Sequence, residues 1–138
     1  MKICGISDIH GDLSVKIQPC DVLCICGDIV PLEIQVNSKK SKRWLKELFI
    51  PWCSKQPCKK VLVVGGNHDF FLWHHPLQMK EMVKEEEKIE YLLNEGYEFE
   101  GVKFIPHCAR NLDTGLLCTH MMNKTESLTR HLKNGEKI

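Results

Sequence analysis

Three short polar motifs, each directly after an apolar run, carry side chains that could bind metal ions. The motifs are Asp8-Ile9-His10 after residues 3–7, Gly27-Asp28 after residues 22–26, and Gly66-Asn67-His68-Asp69 after residues 61–64. In a parallel sheet, ligands gather in the crevice outside the carboxyl ends of the strands. We therefore expect these three motifs to meet at one edge of a sheet and to form a metal site there.

The residue types and spacings within the motifs are those of a metal-binding shell. In Asp8-x-His10, alternate residues of an extended chain point the same way, so one carboxylate and one imidazole can hold the same cation. Gly27 lets the backbone turn sharply, and the two oxygens of Asp28 could bridge two ions. Asn67 offers a neutral carbonyl oxygen to the second ion. Such a mixed shell suits manganese, iron, zinc or magnesium better than copper or an iron–sulfur cluster.

A site that holds two metal ions would indicate the hydrolysis of phosphate esters. Ions about 3.5–4 Å apart clamp the phosphoryl oxygens while a bridging hydroxide attacks phosphorus. His68 could protonate the leaving oxygen or stabilise its charge, and Asp69 could orient the His68 ring. Taken singly, each motif is also an ordinary turn after a strand. The three together, each after its own apolar strand, favour the metal site.

The surrounding pattern predicts an α/β protein whose sheet positions these motifs. The sequence predicts strands at 2–7, 21–26 and 60–64 and a hairpin at 97–99 and 102–105. It predicts a first helix at 38–50, closed by Pro51 and Pro57. It predicts a second helix at 77–94, whose apolar stripe consists of Met82, Val83, Ile89, Leu92 and Leu93. A short strand at 116–119 and a helix at 125–133 are further possibilities. Strands that alternate with helices are typical of a layered α/β sheet.

Length and charge exclude several classes of protein. A chain of 138 residues is expected to form one domain over 1–138, with its own core. The net charge of +1 gives no electrostatic footprint for nucleic acid or an anionic membrane. The chain opens on a strand, and its apolar runs are far shorter than the roughly 20 residues of a membrane helix. We therefore expect a cytoplasmic protein.

The eight cysteines fit that compartment. Cys4, Cys24, Cys26 and Cys118 lie in predicted strands, where we expect them to behave as small buried hydrophobic residues. Without a secretory signal, free thiols are the default. A zinc site at Cys53 and Cys58 is disfavoured because a second matching half is absent.

The order of the motifs resembles the fingerprint of the calcineurin-like metallophosphoesterase superfamily. That fingerprint runs D-x-H, G-D, G-N-H-[D/E], a lone His and G-H-x-H, and residues 1–75 match its first three blocks. The resemblance implies a β-sandwich flanked by helices, with a dinuclear site at the strand ends. By position, Asp8 and His10 would bind the first metal, Asp28 would bridge, and Asn67 would bind the second. His68 would be the catalytic histidine, and manganese is the favoured ion.

The later blocks of the fingerprint match less well. No G-H-x-H occurs in the sequence, and because family members usually run well beyond 138 residues we expect an incomplete second sheet. His120 is the one candidate for the lone histidine. In a rival alignment, residues 126–137 form the helix before that strand, and the histidine lies beyond the chain. A site short of ligands should bind metal weakly and react slowly, and exposed sheet edges would favour a homo-oligomer or a partner chain.

Three functions therefore stay open. The first is a phosphoesterase that acts on a small phosphate ester, either a monoester or a diester. The second is an inactive or weakly active metal-binding remnant, and the third is a protein-binding scaffold, as in the retromer subunit that uses this fold. His68 favours the enzyme, because a scaffold has no use for a catalytic histidine. Specificity is expected from loops 30–37 and 70–78.

Overall fold

The computed structural model describes residues 1–106 and the backbone of Thr119–Met122. The strands are β1 (Ile3–Ile6), β2 (Cys20–Cys26), β3 (Cys58–Val64), β4 (Ile89–Tyr91), β5 (Tyr97–Phe99), β6 (Val102–Pro106) and β7 (Thr119–Met122). The α-helices are α1 (Ser38–Trp44), α2 (Ile50–Ser54), α3 (Phe70–His74) and α4 (Pro76–Val83), with a π-helical turn at Leu45–Phe49 between the first two.

The first four strands form one parallel sheet in the order β1-β2-β3-β4. Ile6 of β1 lies opposite Ile25, and Cys26 at the end of β2 lies opposite Val64 at the end of β3. The carboxyl ends of these strands therefore share one edge of the sheet. The three polar motifs follow directly from that edge, as the sequence predicted.

Both faces of this sheet are buried. One face carries Leu23, Ile25, Val61 and Val63, which pack with helical residues such as Leu45, Phe49, Phe71 and Met79. The other face carries Val22, Cys24, Leu62 and Val64, which pack with Leu92 and Phe104. Burial on two faces explains why the strands read as continuous apolar runs rather than as alternating ones.

The second sheet is antiparallel and has the order β5-β6-β7 in the described part of the chain. The turn between β5 and β6 consists of Glu100 (φ 47°) and Gly101 (φ 80°), and two left-handed residues are typical of the two-residue hairpin turn that matches strand twist. Phe104 of β6 is fully buried against the parallel sheet. The predicted hairpin and the predicted α/β layered fold are both confirmed.

The prediction that the first helix ends before Pro51 is wrong. The helical path continues through Pro51 to Ser54, at the end of α2. The π-helical turn at Leu45–Phe49 comes directly before. A proline lacks an N–H and crowds the preceding turn of a regular α-helix, and a wider π turn accommodates it because the hydrogen-bond register changes there.

The predicted helix at 77–94 is also wrong in its second half. The helical segment ends at Val83, and residues 89–91 form β4, with Ile89 opposite Val61 and Tyr91 opposite Val63. Ile89 and Tyr91 gain burial at the sheet edge, and this tertiary packing overrides a helical spacing of apolar residues. Residues 70–78, expected to be a loop, lie mostly in α3 and α4.

The sequence also predicts thiols at the cysteines and two further elements after residue 115, and part of that region lies outside the described residues. The six cysteines within residues 1–106 are thiols rather than disulfides, and burial raises the pKa of Cys24 and of Cys53. Of the possible strand at 116–119 only Thr119 is described, as the first residue of β7, and the possible helix at 125–133 lies outside. Among the described residues, no helix has the length and apolar character that crossing a membrane requires.

Candidate metal centre

A backbone ladder holds the first two motifs side by side beyond the ends of their strands. The N–H of Asp8 donates to the carbonyl of Gly27 (3.1 Å), and the N–H of His10 donates to the carbonyl of Asp28 (3.0 Å). The N–H of Gly11 then donates to the carbonyl of Ile29 (2.7 Å). The loop after β1 is therefore fixed on the turn after β2, and the predicted ligands are carried on an ordered backbone.

The backbone at the predicted ligands lies in the left-handed region. The φ angles of Asp8, His10 and Asp28 are 55°, 41° and 53°. Asp and His are among the non-glycine residues that tolerate this region best, but each such position costs on the order of 1–3 kcal/mol. Within the described residues the only other non-glycine residue with positive φ is Glu100, in the hairpin turn. Backbone strain is therefore concentrated where the ligands were predicted.

Two glycines let the second and third motifs touch. A Cβ on Gly27, whose φ is 90°, would stand 2.6 Å from the Cα of Gly66. A Cβ on Gly66 would overlap the Oδ1 atom of Asp28. Only residues without a side chain permit this approach, which places the third motif directly against Asp28.

The side chains of Asp8, His10 and Asp28 converge. Each offers one ligand atom, and these three atoms lie within 4.8 Å of one another. Asp28 is only 9% exposed, and the His10 Nδ1 atom is buried without a hydrogen-bond partner. A buried polar atom without a partner costs about 1–3 kcal/mol. Two carboxylates and an imidazole are ligands that a divalent cation takes, so the chemistry of the cluster fits the predicted ion.

His68 lies beside this cluster. Its backbone N–H donates to Asp28 Oδ1 (2.9 Å), and its ring meets the His10 ring edge to face, with centroids 5.6 Å apart. Asn67, in the same turn, is exposed. The structure thus brings Asp8, His10, Asp28 and His68 together, although they come from three separate motifs.

The expected contact between Asp69 and the His68 ring is wrong. Oδ1 of Asp69 accepts from the backbone N–H groups of Ile29 and Val30 (both 2.9 Å), and Oδ2 accepts from the N–H of Gly66 (2.8 Å). Asp69 is fully buried, and this burial raises the pKa of its carboxyl to about 6, although the three N–H bonds act in the opposite direction. Asp69 therefore fastens the second motif to the third.

The ring of His68 is instead held by a residue that sequence reasoning missed. Its Nδ1 atom lies 3.1 Å from Oε1 of Gln35. Gln35 belongs to the 30–37 segment, for which only a role in specificity was predicted. No spacing rule links positions 35 and 68, so no local signal could have revealed the pair.

His120 was expected to be the lone histidine of the fingerprint. It belongs to β7, where its backbone pairs with Ile105 in the second sheet. Its role as a metal ligand stays a prediction.

Comparison with known families agrees with this geometry. A family model described as calcineurin-like phosphoesterase matches residues 1–137. The chain belongs to this family, and the resemblance seen in its three motifs is confirmed. No match to a curated protein was found.

Proposed function

We propose that this protein is a metal-dependent phosphoesterase that hydrolyses a phosphomonoester or a phosphodiester. The observation that carries the proposal is the convergence of Asp8, His10 and Asp28, each of which offers a ligand atom within 4.8 Å of the other two. Membership of the calcineurin-like phosphoesterase family supports the same reaction class.

Two divalent ions are proposed as the cofactors, with manganese favoured over iron, zinc and magnesium. Asp8 and His10 would hold the first ion and Asp28 would be shared between both, while Asn67 and His120 are the proposed further ligands of the second. When bound, such ions polarise the phosphoryl oxygens and lower the pKa of water for attack on phosphorus.

The residues around the cluster have separate tasks in this proposal. His68 would donate a proton from its imidazolium form to the leaving oxygen of the ester and become neutral, because its ring lies beside the His10 ring of the cluster. Asp69 does not take part in proton transfer. It keeps the turns that carry Asp28 and His68 together through its three backbone hydrogen bonds.

The test is turnover by the purified chain. We expect manganese-dependent release of product from an aryl phosphomonoester, an aryl phosphodiester or both. Asp28→Asn should abolish turnover and weaken metal binding, whereas His68→Ala should lower turnover while metal stays bound. Full activity in His68→Ala would remove the proposed role of that histidine.

A metal-binding remnant with little turnover is the second candidate. Only three His, Cys, Asp or Glu ligand atoms cluster in the part of the chain that the structure describes, fewer than two fully coordinated ions require, and this favours the remnant. Metal binding that depends on Asp28 without release of product from either substrate would support the remnant over the enzyme.

A further inference from the structure

The side chain of Gln35 lies against the ring of His68. The His68 Nδ1 atom lies 3.1 Å from Oε1 of Gln35. An amide oxygen accepts hydrogen bonds but cannot donate them, so in this arrangement Nδ1 carries a hydrogen. Nε2 is then the ring nitrogen left to exchange a proton with a bound ester.

The segment that carries Gln35 is anchored on both sides. The buried Ser41 donates its hydroxyl hydrogen to the carbonyl of Ile34 (2.9 Å), and Ile34 itself packs on the core. On the other side, Asn37 Oδ1 accepts from the N–H of Lys40 (2.9 Å) as the N-cap of α1. Gln35 lies between these two anchors, so its side chain starts from a fixed backbone position.

The imidazole is also fixed on the side of the metal cluster. The backbone N–H of His68 donates to Asp28 Oδ1 (2.9 Å), and the edge-to-face packing with His10 restricts rotation of the ring. These contacts set where the ring lies but leave either nitrogen free to carry the hydrogen. The contact with Gln35 is the one that distinguishes the two tautomers.

We infer that Gln35 is a positioning residue for His68, which holds the imidazole with Nδ1 protonated so that Nε2 serves the ester. This inference rests on the proposed function: the imidazolium of His68 would give its Nε2 proton to the leaving oxygen, and the neutral ring left behind would keep its hydrogen on Nδ1, where Gln35 accepts it. Gln35 touches no reacting atom and acts only through His68.

The test measures the tautomer of the His68 ring and the catalytic activity in separate experiments. The ¹⁵N shifts of the His68 ring nitrogens would be measured in the full chain with Mg²⁺, since a protonated and a bare ring nitrogen give well-separated signals. Gln35→Leu removes the acceptor at similar size, and Gln35→Glu keeps an acceptor. Glu33→Gln, an exposed position in the same segment, is the matched control, and His68→Gln identifies the signals.

We expect the unmodified chain, Gln35→Glu and Glu33→Gln to carry the hydrogen on Nδ1, and Gln35→Leu to lose this preference. In Gln35→Leu, kcat should fall about 10- to 100-fold, the effect typical of removing a partner that orients a functional histidine, while KM changes little. Gln35→Glu should recover most of the loss.

Two results would overturn the inference. One is an unchanged tautomer in Gln35→Leu, and the other is a changed tautomer with unchanged kcat. If the unmodified chain shows no turnover with any divalent ion, the proposed function fails, and with it the catalytic purpose given to Gln35. The NMR measurement would still decide separately whether Gln35 holds the ring.

Discussion

Among its single residues, the candidate metal centre combines predicted ligands in a strained backbone conformation with a buried carboxylate that joins their turns. Asp8, His10 and Asp28 have positive φ angles, and such strain persists only where the surroundings over-determine the backbone. Asp69 supplies part of that constraint, because its two oxygens accept three backbone N–H groups from two different motifs. Asp69 itself is fully buried.

Replacing Asp69 by Asn should lower the free energy of unfolding. The amide nitrogen cannot accept a hydrogen bond, so at least one of the three buried N–H groups loses its partner. We expect a loss of about 1–3 kcal/mol, measured by urea denaturation at pH 7. Glu33→Gln should leave the free energy of unfolding within about 0.5 kcal/mol, as is usual for surface positions. Equal stability of Asp69→Asn and the unmodified chain would contradict the role of Asp69.

The pH dependence of stability follows from the same carboxyl. Burial raises its pKa from an ordinary 3.8 to about 6 in the folded state. Between these values the folded chain binds more protons than the unfolded one. The contribution of Asp69 to the free energy of unfolding therefore decreases as pH rises from about 4 to about 6, and is level above that. Denaturation across this window should show the slope in the unmodified chain, and Asp69→Asn should lack it.

At the scale of elements, the site depends on how closely two turns approach. The turn after β2 meets the turn after β3 at Gly27 and Gly66, where backbone atoms fill the space that a side chain would need. The parallel sheet sets the spacing of the two turns, because Cys26 and Val64 lie opposite each other at the ends of their strands.

Gly27→Ala should disturb this junction. Its φ of 90° is unfavourable for alanine, and the new Cβ would stand 2.6 Å from the Cα of Gly66. We expect a loss of more than about 1 kcal/mol in the free energy of unfolding, together with weaker metal binding because Asp28 moves. Gly5→Ala is the matched control, since a Cβ there meets nothing within 4 Å. A similar loss of unfolding free energy in Gly27→Ala and Gly5→Ala would contradict the importance of the close approach between the two turns.

Some of the strands and contacts could be predicted from the sequence, and others could not. Sequence could predict strands β1 to β3, the hairpin and the grouping of the expected ligands. The signals for them are local, because they are short apolar runs that end in polar motifs. Strand β4 was mistaken for helix because its burial comes from pairing with β3, a contact that no local spacing encodes. The Gln35–His68 and Asp69–Ile29 contacts span 33 and 40 residues, and they too depend on the assembled fold.

In the whole molecule, the buried faces of the parallel sheet and the candidate metal centre lie in different places. Helices cover one face and the second sheet covers the other, so the sheet is a rigid platform. The candidate metal centre occupies the edge at the carboxyl ends of its strands, where side chains from three motifs converge without disturbing either core. This division explains how short motifs, far apart in sequence, can form one site.

Mn²⁺ binding measured by calorimetry decides whether Asp8, His10 and Asp28 form a metal centre. We predict that the unmodified chain binds Mn²⁺ and that Asp28→Asn weakens binding by at least about tenfold. Asp21→Asn should bind as the unmodified chain does, because Asp21 lies at the opposite end of β2 and pairs with Lys59. Equal affinity in Asp28→Asn and the unmodified chain, or no Mn²⁺ binding at all, would rule out a metal centre formed by these three residues.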